Sequence, residues 1–243
     1  MRAEEAGRLV DLLTHATSRD EEERDATVAV LPVGSFEQHG TFLPLITDTV
    51  VACAVAQDVS AAYDLFLLPP VTLSCSHEHA GYAGTVSISA RTLHALIEDV
   101  AESLLQAGTS RIVVVNGHGG NYVLSNVVQE ANVDNRRMSL FPSRDDWQQA
   151  RENAELVTAG HDDMHAGELE TSLLLHVSPQ LVREGYQGAD WLASARPRFA
   201  TLGMKGYTQS GVIGRPSLGT ADKGQAVLQS LRESFADHLA LLA

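Results

Sequence analysis

Glu37 and His39 stand two residues apart in the segment Gly34-Ser35-Phe36-Glu37-Gln38-His39-Gly40. In an extended chain, side chains at i and i+2 leave the same side, so this carboxylate and imidazole can reach one point. Asp48 follows a Pro44-containing loop that can fold back to the same place. His118 lies among glycines in Asn116-Gly117-His118-Gly119-Gly120-Asn121, and glycine lets a backbone turn tightly without steric cost. A fourth cluster runs from His161 to Glu170, where His165 and Glu170 are better ligand candidates than His161, and Glu168 reads as a solvent-facing helix residue. Carboxylate oxygen with imidazole nitrogen suits Zn²⁺, Mn²⁺ or Fe²⁺, and one carboxylate can bridge two such ions. Each segment alone also fits a plainer role, a solvated loop for Glu37-x-His39 or a phosphate-cradling turn around His118. The turn has neither GxGxxG spacing nor a Lys-Ser/Thr ending, which argues against a nucleotide loop.

To converge, these residues need elements that deliver them to one edge. Residues 27–33 (TVAVLPV) read as a buried strand, and 48–63 lack Pro and Gly, as in a helix. A second strand spans 65–68. Residues 90–107 repeat apolar side chains at helical spacing, with Ser89 as N-cap and Gly108 as stop. The run at 111–115 is the clearest strand, and a helix follows to about Asn135. The polar, acidic stretch 142–163 reads as a surface excursion, partly helical. A helix is predicted over 168–176, glycine-rich loop over 203–222, and a closing helix over 223–242. This alternation predicts a mostly parallel sheet with helices on both faces, a three-layer α/β/α sandwich, in which ligands sit beyond the carboxyl ends of the strands. That rule selects the segments holding Glu37 and His118. His77 and His79, which follow the second strand, border the same crevice. There is no internal repeat and no linker, so one domain over 1–243 is expected.

The composition is that of an ordinary globular chain, 44% hydrophobic and 20% charged, with a net charge of −14. Such acidity repels phosphate backbones and anionic lipid, which excludes nucleic-acid and membrane-surface roles. Cys53 and Cys75 form no CxxC pair and read as reduced core thiols. The charged stretch 1–24 has no apolar secretion segment and no apolar run reaches ~18 residues, so the expected location is the cytoplasm.

Four segments together resemble the creatininase family: LPVGSFEQHGTFLPLITD (31–48), EHAGYAGTVSIS (78–89), NGHGGN (116–121) and MHAGELETS (164–172). Their order and separation match over roughly residues 26–242. The resemblance implies a three-layer fold, a homo-oligomer that is commonly a hexamer, and two divalent ions (Zn, Mn or Fe). It places metal ligands on Glu37, His39, Asp48 (bridging) and His118, and it places Glu170 in the H-x-G-x-x-E-T-S motif opened by His165. In creatininase itself the NGH motif continues with a metal-binding glutamate, whereas this chain has Gly120, so creatinine is not the expected substrate and Glu170 is expected to complete the second ion's shell. The NGHGGN form is similar to that of the peptidase of mycofactocin maturation and of formamide-cleaving deformylases.

The expected reaction is hydrolysis of a small-molecule or short-peptide amide by metal-activated water. His165 would protonate the leaving nitrogen, and Gly119 and Gly120 would offer backbone N–H groups. Glu78, His79 and Tyr82 would contact substrate. Two readings of other classes compete, a metal-holding scaffold without activity and a nucleotide-binding protein using residues 116–121.

Overall fold

The computed structural model describes residues 14–242. The expectation of no secretion segment falls largely on residues 1–13, outside the described residues. A short capped helix α1 (Ser18–Arg24) precedes β1 (Val28–Val33), then α2 (Thr47–Tyr63), β2 (Phe66–Leu67), α3 (Ala90–Gln106), β3 (Arg111–Asn116), α4 (Val123–Ala131) and β4 (Met138–Phe141). After these come α5 (Arg144–Asn153), α6 (Glu168–Val177), the single turn α7 (Phe199–Leu202) and the long α8 (Ala221–Leu242).

The strands form one parallel sheet in the order β2-β1-β3-β4. Side chains alternate across a strand, and the alternation builds two cores. Val28, Val30, Val113, Val115 and Phe141 face α2, α6 and α8 on one side. Ala29, Leu31, Val33, Ile112, Val114 and Met138 face Leu93, Ile97 and Leu104 of α3 and Leu124 and Val127 of α4 on the other. These are the three layers of the α/β sandwich. The chain leaves β1 for β2 on one side and returns to β3 on the other, so the β1/β3 carboxyl ends mark the topological switch point, where open α/β sheets hold their ligands.

Ser89 caps α3 by accepting from the Thr92 N–H at 3.2 Å, and Gly108 follows with φ +98°. The helix after residue 121 ends at Ala131, short of the expected Asn135. The Asn132 carboxamide oxygen accepts from the Arg137 and Met138 N–H groups and turns the chain into β4. Residues 144–153 are the helical part of the stretch 142–163, which was expected to be a surface excursion, partly helical; this helix packs inward. A Ser143/Asp146 capping box starts α5, and Trp147, Ala150, Arg151 and Ala154 repeat along its inner face. Cys53 and Cys75 are both free and buried. Among the described residues no helix is long and apolar enough to cross a membrane.

Candidate metal centre

Two glycines at the strand ends bring the first turn of α2 onto the sheet. A Cβ on Gly34 would lie 2.3 Å from the Thr49 Cα, and one on Gly117 would lie 2.3 Å from the Asp48 carbonyl oxygen. No side chain fits at either place, so Asp48 descends between the ends of β1 and β3. The loop after β1 turns through Gly40 (φ +66°) and buries Glu37 and His39 completely. Glu37, His39 and Asp48 then offer ligand atoms within 4.8 Å of one another, as do the groups Glu37/His79/His165 and His39/His165/Glu170.

The hydrogen-bond partners settle how each imidazole is turned, because a carbonyl oxygen only accepts. His39 donates from Nδ1 to the Glu37 carbonyl at 3.0 Å, which leaves Nε2 facing Asp48 Oδ1 at 3.0 Å. His118 donates from Nε2 to the Cys75 carbonyl at 2.8 Å, which leaves Nδ1 facing Asp48 Oδ2 at 3.0 Å. Asp48 is therefore bracketed, one imidazole nitrogen on each oxygen, with Ser35 Oγ donating to Oδ2 at 2.5 Å. His165 donates from Nε2 to the Gln38 carbonyl at 2.6 Å and turns Nδ1 toward Glu37 Oε1, 3.7 Å away. His79 Nδ1 accepts from the Gln38 amide at 2.9 Å, so its Nε2–H faces Glu37 Oε1 at 3.1 Å.

Charge follows from burial. Burial and the neighbouring Asp48 lift Glu37 to about 8. Burial pulls His39 down, but the surrounding carboxylates, Asp48 first, outweigh it and lift the ring to about 9. His118 is likewise held well above its usual value against burial by Glu37 and Asp48, while Asp48 stays well below its own despite burial, because His39 and His118 flank it. His79 falls to about 3 through burial and the charge on His118 and His39, and His165 is depressed by burial and His39. Both oxygens of Glu37 are buried and lack a hydrogen-bond donor in bonding geometry among the described residues, although ring nitrogens stand 3.1 and 3.2 Å away. An orphaned buried carboxylate is costly, and a set of N and O atoms converging on common points is what a divalent cation requires. The residues fit such an ion.

Glu170 is in the first turn of α6. Its Oε2 accepts from the Ala166 N–H at 2.6 Å and lies 3.8 Å from His39 Nε2. Ala166 is held at φ +49°, a left-handed conformation costly for a side-chain-bearing residue, and the His165–Ile213 bridge pins it there. Glu168 departs from its expected solvent exposure. It is fully buried, accepting from the Val157 and Thr158 N–H groups and from Lys223 Nζ, so of the two acids Glu170 faces His39. His161 is exposed and bonds the Ser194 carbonyl, and His77 is exposed beside Ser87. Tyr82 braces its loop, donating to the Thr208 carbonyl at 2.6 Å with Lys205 over its ring. A cavity of about 600 Å³ opens beside His118 and Gly119, walled by Glu170, Arg144, Trp147 and Met164.

Three features escape sequence reasoning. Gln38 orients two histidines at once, through its side chain and its carbonyl, and its only sequence signal is a place between Glu37 and His39. Asp163 receives the Glu168 and Leu169 N–H groups and pairs with Arg151, capping α6 where Gly167 has no side chain to do so. Arg144 and Trp147 reach the cavity from a helix that the acidic composition hides.

Residues 13–239 match the family described as creatininase, creatinine amidohydrolase. The chain is 36% identical over 222 residues to the mycofactocin precursor peptide peptidase of Mycolicibacterium smegmatis, with 87% of this chain and 84% of that protein covered. Its fold is also that of solved creatininases. A manganese form superposes with a TM-score of 0.78 at 22% identity, and a mutant of Zn-Zn type with 0.77 at 22% identity, each covering 93% of this chain and 95% of the other.

Proposed function

The chain belongs to the creatininase family, whose members are hydrolases acting on carbon–nitrogen amide bonds, and from that premise we propose that it is an amidohydrolase working through two divalent metal ions. The observation that carries the reading is Asp48 bracketed by His39 and His118 beside the donor-less carboxylate of Glu37. In this reading Asp48 would be shared by the two ions, His118 and Glu37 would hold one, and His39 and Glu170 would hold the other. When bound, such ions acidify water from a pKa of ~15.7 toward ~7 and polarise an amide carbonyl.

The chain's own groups supply the rest. His165, kept neutral by its surroundings with its proton on Nε2 toward the Gln38 carbonyl, presents a bare Nδ1 that would take a proton from the attacking water and pass it to the departing nitrogen. Gly119 lines the cavity beside His118, where its backbone N–H would meet an oxyanion or a substrate carboxylate, while Gly120 lines a second cavity on the Glu78 side. The His79 Nε2–H, turned by Gln38, faces Glu37 Oε1 from 3.1 Å. A peptide-derived amide is the best-supported substrate class, because the chain's identity to a peptide peptidase extends over 87% of its length. The proposed setting is a cytoplasmic homo-oligomer, with a hexamer as the family-based expectation.

The test is hydrolysis of a panel of formamides, lactams and short peptides with and without chelator. At least one amide should be cleaved, cleavage should stop on chelation, and Zn²⁺, Mn²⁺ or Fe²⁺ should restore it. Cleavage indifferent to a chelator that strips the protein would refute the reading.

A further inference from the structure

Glu78 sits in the 3-10 turn His77–His79, and its carboxylate fills the room that glycine leaves at position 120. A Cβ on Gly120 would lie 1.8 Å from Glu78 Oε1 and 2.3 Å from His118 Nε2, so a side chain there and this carboxylate exclude each other. Glu78 Oε1 is 3.3 Å from His118 Nε2, on the ring edge opposite the nitrogen that faces Asp48, and Glu37 Oε2 approaches the same Nε2 at 3.2 Å. The turn is held from behind. Gly203, at φ +60°, comes so close that a Cβ on it would lie 2.6 Å from the Glu78 carbonyl oxygen. The outer side of Glu78 faces a second cavity of about 490 Å³, walled by Cys75, Tyr122, Phe199 and Leu202.

We propose that Glu78 is the positioning carboxylate of His118: seated in the space at Gly120, it shares the Nε2–H with the Cys75 carbonyl and fixes Nδ1 as the nitrogen that serves the metal centre. The inference rests on the metal-centre reading above and assigns Glu78 to the ligand instead of the substrate. A neutral carbonyl can fix the tautomer, but a carboxylate adds the charge that makes the opposite nitrogen a stronger donor, and with Glu37 engaged by the ion in this reading, Glu78 is the carboxylate left to Nε2. Loss of such an outer partner typically costs ~10–100-fold in metal affinity.

The test is titration of chelator-stripped protein with Zn²⁺ or Mn²⁺, read by calorimetry as affinity and stoichiometry and requiring no turnover. Glu78→Gln keeps the shape and removes the charge. It should weaken one of two ions ~10–100-fold and leave the other within a few-fold, with an unchanged melting temperature for the stripped protein. Glu78→Ala should lose the same ion, and added formate, small enough to enter from the second cavity, should recover it while chloride does not. Parental affinity for both ions in Glu78→Gln overturns the assignment, as does equal weakening of both ions together with a lowered melting temperature. If the parent protein itself takes up no ion, the metal-centre reading fails along with this one.

Discussion

At the scale of single residues, the hydrogen bond made by one imidazole nitrogen decides which nitrogen is left for a cation, and here the partners are carbonyls. The Glu37, Cys75 and Gln38 carbonyls turn His39, His118 and His165 respectively. The five acids and imidazoles proposed as metal ligands, and His165, are candidates already in the sequence, because their residue types and the family resemblance of their segments are visible in one dimension. Their orienting groups are not, because a backbone carbonyl has no sequence signature and Gln38 acts only once the loop has folded. Glu168 was misread because its carboxylate is answered by Lys223, 55 residues on, and by two loop N–H groups. His165 gives the sharpest prediction at this scale. His165→Ala should retain both ions by elemental analysis and slow turnover by ~10²–10⁴-fold, the usual contribution of a proton-transferring group. Loss of one ion would make His165 a ligand instead.

At the scale of elements, the site exists because α2 can dock its first turn against two strand ends. Gly117→Ala would place a methyl group 2.3 Å from the Asp48 carbonyl oxygen. The turn must retreat, so denaturant unfolding should show a loss of ~1–3 kcal/mol, the usual cost of overpacking, and metal content should fall with Asp48 displaced. A variant with parental stability and metal content would show that the contact does not position Asp48. The strands and helices around this contact were legible because their apolar runs are long or regularly spaced, as in residues 111–115 and 90–107. Strand β4 and the bounds and inner face of helix α5 were not. Four residues of mixed polarity make β4, and the inner face of α5 is drawn by Ala150, Arg151 and Ala154, two small residues and an arginine whose charge Asp163 neutralises.

At the scale of the whole molecule, the site couples stability to pH. In the stripped protein Glu170 is lifted to about 7, chiefly by burial, Glu37 to about 8, chiefly by burial with Asp48 adding, and His39 to about 9, where the carboxylates outweigh burial. Each holds its proton more tightly folded than unfolded. Its contribution is therefore complete below the unfolded value, 4.5 for the glutamates and 6.5 for histidine, and is lost as pH rises through the folded value. The melting temperature of chelator-stripped protein should fall from pH 6.5 to pH 9, and the gain on adding metal should grow over the same interval, because ligands bind deprotonated. A stripped protein equally stable at both ends would contradict these shifts. Two divalent cations would replace those protons and offset part of the −14 charge. The most direct test is anomalous diffraction at the metal edge from crystals soaked in Zn²⁺ or Mn²⁺. Two peaks should flank Asp48, one beside Glu37 and His118 Nδ1 and the other beside His39 Nε2 and Glu170. No peak at Asp48, or ions bound only elsewhere, would contradict the account.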